Sequence, residues 1–350
     1  MGDGIGASVA GQGGNVVHEA SQLVPSVDDA LKILVQNAIE EFGLAARDVY
    51  GGVLDLRATR QQHARALRGL DYSKLRNLVV SFSNNRELDA VSDRIVVVYP
   101  RLAELRIDDW EIDFKSIRIA NEVVELMRLA EDNHLWNMYH LLHRITEGSG
   151  MAGWIFEARV HRMLSGGWQL GSPVPRPIRM ATNLRDPPAF FTGSPSSPPS
   201  IPDTLLPSLV PPRTVVRVSF IHKLNDVTLD ENKYYIPTTS DNPLFDSFTI
   251  IHGQGTVVIS VFQITISPKH EGSSKGYLFI RKIMARVREL LKKEGLKATI
   301  QVAYILVCPG GEQHEWQMPN DWNKSVEIHD HRGDAFCIFI PVPGMLCYSL

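Results

Sequence analysis

The sequence predicts an α/β protein, in which a helical N-terminal region leads into a mixed β-sheet flanked by helices. Three observations carry that expectation. SVDDALKILVQNAIEEFG, residues 26–43, has apolar residues at helical spacing between a serine and a glycine. TVVISVFQIT, ATIQVAYILVCP and DAFCIFIPVP are apolar, β-branched runs of strand length. Between the first two lies KGYLFIRKIMARVRELLKKEG, a strongly amphipathic helix, so strand and helix alternate along the C-terminal half.

The elements follow in chain order. Residues 1–25 are glycine-rich and aperiodic, which predicts disorder. No GK[ST] follows these glycines, so a phosphate and its Mg²⁺ would lack their usual anchors there. Ser26 is the expected N-cap of the first helix, Gly43 its stop, and Leu31, Leu34, Val35, Ala38, Ile39 and Phe42 its apolar stripe. RNLVVSF and DRIVVVYP read as short buried strands. DFKSIRIANEVVELMRLAEDNHLWNMYHLLHRI reads as helix, and residues 26–147 as a mostly helical unit.

EGSGMAG, residues 147–153, reads as a hinge. The helix GWIFEARVHRMLSGG follows, with Ile155, Phe156, Val160, Met163 and Leu164 on one broad face. Residues 183–213 are rich in proline and serine. They predict an exposed loop inserted into the C-terminal domain, holding neither a helix nor a central strand. RTVVRVSFI and KYYIP are strands. SFTII and TVVISVFQIT form a hairpin around HGQG.

Composition limits the function classes. With 44% hydrophobic and 21% charged residues the chain is of ordinary globular type, and its 350 residues favour two domains. The net charge of −3 supplies no global basic field, so a nucleic-acid partner would need a local patch. The cysteines Cys308, Cys337 and Cys347 are too few and uneven for a disulfide framework, which points to a reducing compartment. The N-terminus lacks the basic start and apolar core of a signal peptide. No run reaches the roughly 18 apolar residues that a membrane helix needs.

The hairpin raises the chemical question. Asp246 opens its first strand. Gln263 sits near the end of the second, Thr265 and Lys269 just beyond it, and Glu157 on the preceding helix. An acid, an amide oxygen and a further acid can hold Mg²⁺, which keeps several waters when protein-bound. A lysine nearby can stabilise developing charge in phosphodiester hydrolysis. Each residue also has an ordinary alternative. Asp246 can start a turn after Pro243, Glu157 can be a solvated helix residue, and Gln263 can satisfy a structural hydrogen bond.

Arg281, Arg288 and Lys292 share one basic face of the long helix, which also carries Lys275. Such a face contacts phosphate backbones or simply keeps the protein soluble. His329, Asp330 and His331 read as a surface turn, and His134, His140 and His143 as helix packing.

AGWIFEARVHRMLSGG, YYIPTTSDNPLFDSFTI, VVISVFQITISPKHEGSSKGYLFIRKIMARV, AYILVCP, EWQMP and DHRGDAFCIFIPVPG together resemble the C-terminal domain of Crinkler-type proteins of fungi, relatives of retrotransposon-hot-spot proteins. The match spans roughly residues 150–345. The resemblance implies a restriction-endonuclease-like, or PD-(D/E)xK, domain, with Glu157, Asp246 and Gln263 as its Mg²⁺- or Mn²⁺-dependent centre and DNA as its partner. Residues 44–130 are similar to the end of the NTPase-like module that precedes this domain in the family, so the chain reads as truncated at its N-terminus. Effector action inside host cells, often in the nucleus, is also implied, and residues 26–147 are a candidate surface for a protein partner. The family signature ends in acid-or-Gln, any residue, lysine. Here Thr265 stands at the lysine position, and Lys269 is the nearest substitute. The sequence therefore supports two expectations, a metal-dependent nuclease and an inactive descendant that binds DNA or protein.

Overall fold

The computed structural model describes residues 26–83, 92–100, 110–130, 132–145, 148–167, 178–183, 190–194, 214–218, 229–237, 244–253, 255–273, 275–310, 313–317 and 334–340. Residues 1–25, most of 183–213, and His329 to His331 lie outside them.

Helix α1, Val27–Phe42, starts as expected, with the Ser26 side chain accepting from the Asp29 amide, and it stops at Gly43, where φ is 81°. Its stripe is buried only toward the end, at Ala38 and Phe42, while Leu31 and Leu34 are half exposed. Helices α2, Ala46–Leu54, and α3, Leu56–Arg68, follow.

RNLVVSF is not a strand. It belongs to helix α4, Tyr72–Ser83, whose first turn is capped by the Asp71 carboxylate on the Lys74 amide. Leu75, Leu78 and Val79 are its buried residues, a helical spacing that begins upstream of the β-branched pair and overrides it. Helix α5, Ser92–Ile95, leads into strand β1, Val96–Pro100. β1 pairs antiparallel with β2, Trp110–Phe114. The helix expected from Asp113 onward therefore begins only after a strand. WEIDF alternates, burying Ile112 and Phe114 while Trp110 stays exposed.

Helices α6, Ile117–Ala130, and α7, Asp132–His143, match the expectation. The expected hinge is largely helical, because α8 runs from Ser149 to Arg162. Gly150 there lies in close contact with β2. A Cβ on Gly150 would lie 2.8 Å from Asp113 Oδ2, so any larger residue there would have to displace that carboxylate.

The main sheet has seven strands: β3, Ile178–Arg179; β6, Thr214–Val218; β7, Lys233–Pro237; β8, Ser247–His252; β9, Thr256–Ile264; β11, Thr299–Pro309; and β13, Asp334–Ile340. Their order is β3-β13-β11-β9-β8-β7-β6. β7, β8 and β9 form an antiparallel meander. Helix α9, Lys275–Lys293, then crosses back so that β11 lies parallel to β9. The molecule is thus a mixed α/β protein. A second sheet, in the order β10-β12-β5-β4, joins β4, Ala181–Asn183; β5, Phe190–Gly193; β10, Lys269–Glu271; and β12, His314–Gln317. β5 is an interior strand cut from the segment expected to be a loop. FFTG contains no proline, so its amides are free to pair.

Alternation along the central strands builds two cores. Val258, Phe262, Ile305, Val307 and Phe336 share a core with residues of α6, α7 and α8, of which α8 packs on β9. Val257, Ile259, Val261, Val302, Tyr304 and Leu306 face Tyr277, Ile280, Met284 and Val287 of α9. With both faces covered, β9 and β11 are buried almost throughout, hence their unbroken apolar runs.

Candidate functional site

The hairpin register sets the site. Ser247 pairs with Phe262, and the Asp246 amide donates to the Phe262 carbonyl at 2.7 Å. Asp246 therefore stands opposite Gln263 at the strand ends. Its Oδ2 accepts from Gln263 Nε2 at 2.8 Å and from the Ile264 amide at 2.6 Å. Gln263 is only 6% exposed, and its other amide atom, Oε1, is buried with no hydrogen-bond partner.

Asp246 as a residue is only part-buried, yet its carboxyl is held well above the ordinary carboxylate range. Burial is the main cause and the Glu157 carboxylate beside it the second. The Ile264 amide and the Gln263 side chain pull the other way without prevailing. Both the carboxyl and the orphaned amide oxygen would be satisfied by a cation. The carboxyl would be relieved of its neighbour's charge, and Oε1 would gain a partner.

Glu157 lies on α8, 29% exposed, and its Oε1 is 3.3 Å from Nε2 of His161 one turn later. His161 Nδ1 is 2.8 Å from the Tyr234 hydroxyl, which is 2.6 Å from Ser247 Oγ. Tyr234 and Ser247 are fully buried. Sequence reasoning missed His161, Tyr234 and Ser247. The signal available was the i, i+4 spacing of glutamate and histidine in FEARVH, which puts both on one face of a helix.

The other expected residues lie elsewhere. Lys269 is in β10, its side chain 78% exposed and its Nζ 3.6 Å from Glu315 of β12. Thr265 donates its amide to the Val307 carbonyl, and its hydroxyl caps the Ser267 amide. Lys275 and Arg281 are exposed on the first half of α9. Arg288 and Lys292 are exposed on the second half, where with Gly255, Lys297 and Thr299 they line an open pocket of about 530 Å³ beside the hairpin turn. That turn is the opposite end of β9 from Gln263, roughly 25 Å away at about 3.3 Å per strand residue. The basic side of α9 thus runs away from the centre and only begins near it.

The donor types present are those that a hard divalent ion takes. Mg²⁺ and Mn²⁺ accept one or two carboxylates, a neutral oxygen and waters, and Glu157, Asp246 and Gln263 Oε1 supply such a set. Among the described residues, no group of three or more His, Cys, Asp or Glu side chains is arranged to hold a metal, so the amide oxygen is needed to complete the set.

A second charged cluster lies in the helical unit. Asp48 of α2 is fully buried, with its Oδ2 2.6 Å from Lys115 Nζ and its Oδ1 2.5 Å from Arg94 Nη1. Burial alone would raise its pKa. The Lys115 hydrogen bond and charge, with His63 and Arg94, hold it below the ordinary carboxylate range. Its charge is matched internally, as in a structural ion cluster.

No family model, curated protein or solved structure matches this chain. No helix among the described residues is long and apolar enough to cross a membrane.

Proposed function

We propose that the chain is a metal-dependent nuclease-like protein acting on DNA phosphodiesters, with Glu157, Asp246 and Gln263 as its ion-binding centre. The observation that carries the reading is the buried, unpartnered Gln263 Oε1 beside a carboxyl whose charged form is disfavoured. The order of elements also supports it. A helix bearing Glu157 precedes a hairpin with Asp246 at the start of its first strand and Gln263 near the end of its second, the placement that the Crinkler-type resemblance implies for its centre.

A bound Mg²⁺ or Mn²⁺ would lower the pKa of a coordinated water and neutralise charge on the phosphoryl oxygens. The chain's own part is positional. The Ile264 amide and the Gln263 side chain both fix Oδ2 of Asp246, which aims its Oδ1. Lys275 and Arg281, exposed at the near end of α9, can hold a phosphate backbone without reading its sequence.

One observation favours a second reading, a binding protein that has lost cleavage. Thr265 occupies the usual lysine position with its hydroxyl engaged locally, and Lys269 faces Glu315. Neither residue then supplies a cation to stabilise the developing charge.

Plasmid and single-strand cleavage by the full chain, with Mg²⁺, Mn²⁺ or EDTA, separates the two. Metal-dependent nicking that is lost in Asp246→Ala is expected, with a fall of about 10²-fold or more. Absence of cleavage in every metal, with DNA binding retained by both proteins, establishes the binding-only reading.

A further inference from the structure

We propose that His161 and Tyr234 are positioning residues that fix the Glu157 carboxylate as a cation ligand, an inference that rests on the ion-binding reading of Glu157, Asp246 and Gln263. Glu157 is 29% exposed on α8. Unrestrained, a glutamate samples many rotamers, and holding it in one costs side-chain entropy. The chain of contacts from Ser247 through Tyr234 and His161 to Glu157 removes that freedom in advance.

For a neutral His161 ring, counting hydrogens fixes the direction of the chain. Ionised Glu157 only accepts, so His161 must present Nε2–H to it. In a neutral ring Nδ1 then carries the lone pair and accepts from the Tyr234 hydroxyl, which in turn accepts from Ser247 Oγ–H. Tyr234 and His161 each give one hydrogen and take one, between Ser247 as the first donor and Glu157 as the last acceptor. Reversed, a neutral ring would turn the lone pair of Nε2 toward the carboxylate across 3.3 Å, two acceptors facing each other. In the forward direction His161 occupies Oε1 and leaves Oε2 of Glu157 for the ion.

The anchor of the chain is well placed. Tyr234 on β7 and Ser247 on β8 are both fully buried, and Ser247 is the residue after Asp246. The same path therefore ties the carboxylate on α8 to the strand that carries the second carboxylate. A hydrogen-bonded outer shell of this kind typically contributes about 10- to 100-fold in metal affinity.

The test is Mn²⁺ binding by the full chain, measured by titration calorimetry and by the electron-paramagnetic signal of free Mn²⁺. Wild type is compared with Asp246→Ala, His161→Leu, His161→Gln and Tyr234→Phe, with circular dichroism and melting midpoints recorded for each. His161→Leu is expected to weaken Mn²⁺ about 10-fold or more, and Tyr234→Phe to weaken it in the same direction. His161→Gln, which keeps an N–H donor, should recover part of the loss. Should the leucine variant fail to fold, Tyr234→Phe, the loss of one hydroxyl, decides the matter. Wild-type affinity in Tyr234→Phe or in folded His161→Leu, with binding abolished in Asp246→Ala, overturns the positioning role and leaves the ion site standing. Absence of Mn²⁺ binding in wild type overturns both.

Discussion

Asp113 shows how one carboxyl records the closeness of two elements. It stands on β2 beneath the start of α8, and burial there raises its pKa from 3.8 to about 6, against opposing hydrogen bonds from the Phe114 amide and Trp154. Between those two values the folded chain binds more protons than the unfolded one. The contribution of Asp113 to stability therefore falls as pH rises through that window, and the penalty is complete above about 6. A shift of about two units corresponds to on the order of 2–3 kcal/mol. Asp113→Asn keeps the acceptor and removes the charge. Its unfolding free energy from urea titration at pH 7.5 should exceed that of wild type by roughly that amount, with the advantage vanishing near pH 4. Parallel pH curves for the two proteins would show that the carboxyl is not penalised. Gln263 is the same kind of residue seen from the other side. Its need for a partner is legible from an amide in an apolar strand, and so is its pairing with Asp246 across the hairpin, whereas the orphaned Oε1 emerges only once the carboxylate fixes the amide's orientation.

At the scale of elements, legibility follows periodicity. The hairpin around residues 253–255, the helix from Lys275 and the strand from Thr299 are readable because their apolar patterns run for many residues. β2 escapes a sequence reading, since five alternating residues next to a helix carry little signal, and α4 resembles a strand when its β-branched pair is considered apart from Leu75. Sequence distance alone puts Lys269 near the centre, but a short strand, β10, carries it to the second sheet. Gly276 shows how such contacts bear on the site. A Cβ there would stand 2.2 Å from Leu244 Cβ, and Leu244 is buried two residues before Asp246. Gly276→Ala would gain up to about 1 kcal/mol in helix propensity, but the overlap is deep enough that displacement, at about 1–3 kcal/mol, prevails. The variant should therefore melt below wild type and also lose Mn²⁺ affinity as the 244–246 segment shifts. A higher melting midpoint would mean that Leu244 yields freely and that α9 does not brace the site.

For the whole molecule, the boundary suggested at residues 147–150 does not divide the packing. One core runs from Leu67, Leu75 and Tyr139 through Ile155 and Phe156 of α8 to Phe262, Ile305 and Phe336 of the sheet. α8 belongs to both sides of it, covering β9 with one part and meeting α6, α7 and β2 with another. Removing the helical unit would expose the buried side of α8, at about 25 cal/mol per Å² of apolar surface. Stability held in common in this way predicts that the halves unfold together, although chains of this length commonly unfold in steps. Scanning calorimetry of the full chain should give one transition, coincident with the loss of near-ultraviolet signal from Trp136 in the helical unit, Trp154 on α8 and Trp316 on the second sheet. Two separated transitions would mean that the contact through α8 is too weak to couple the halves. Glu157 would then be carried by a unit able to loosen while Asp246 and Gln263 stay folded. A single transition means that whatever holds the helical unit in place also holds Glu157 beside Asp246.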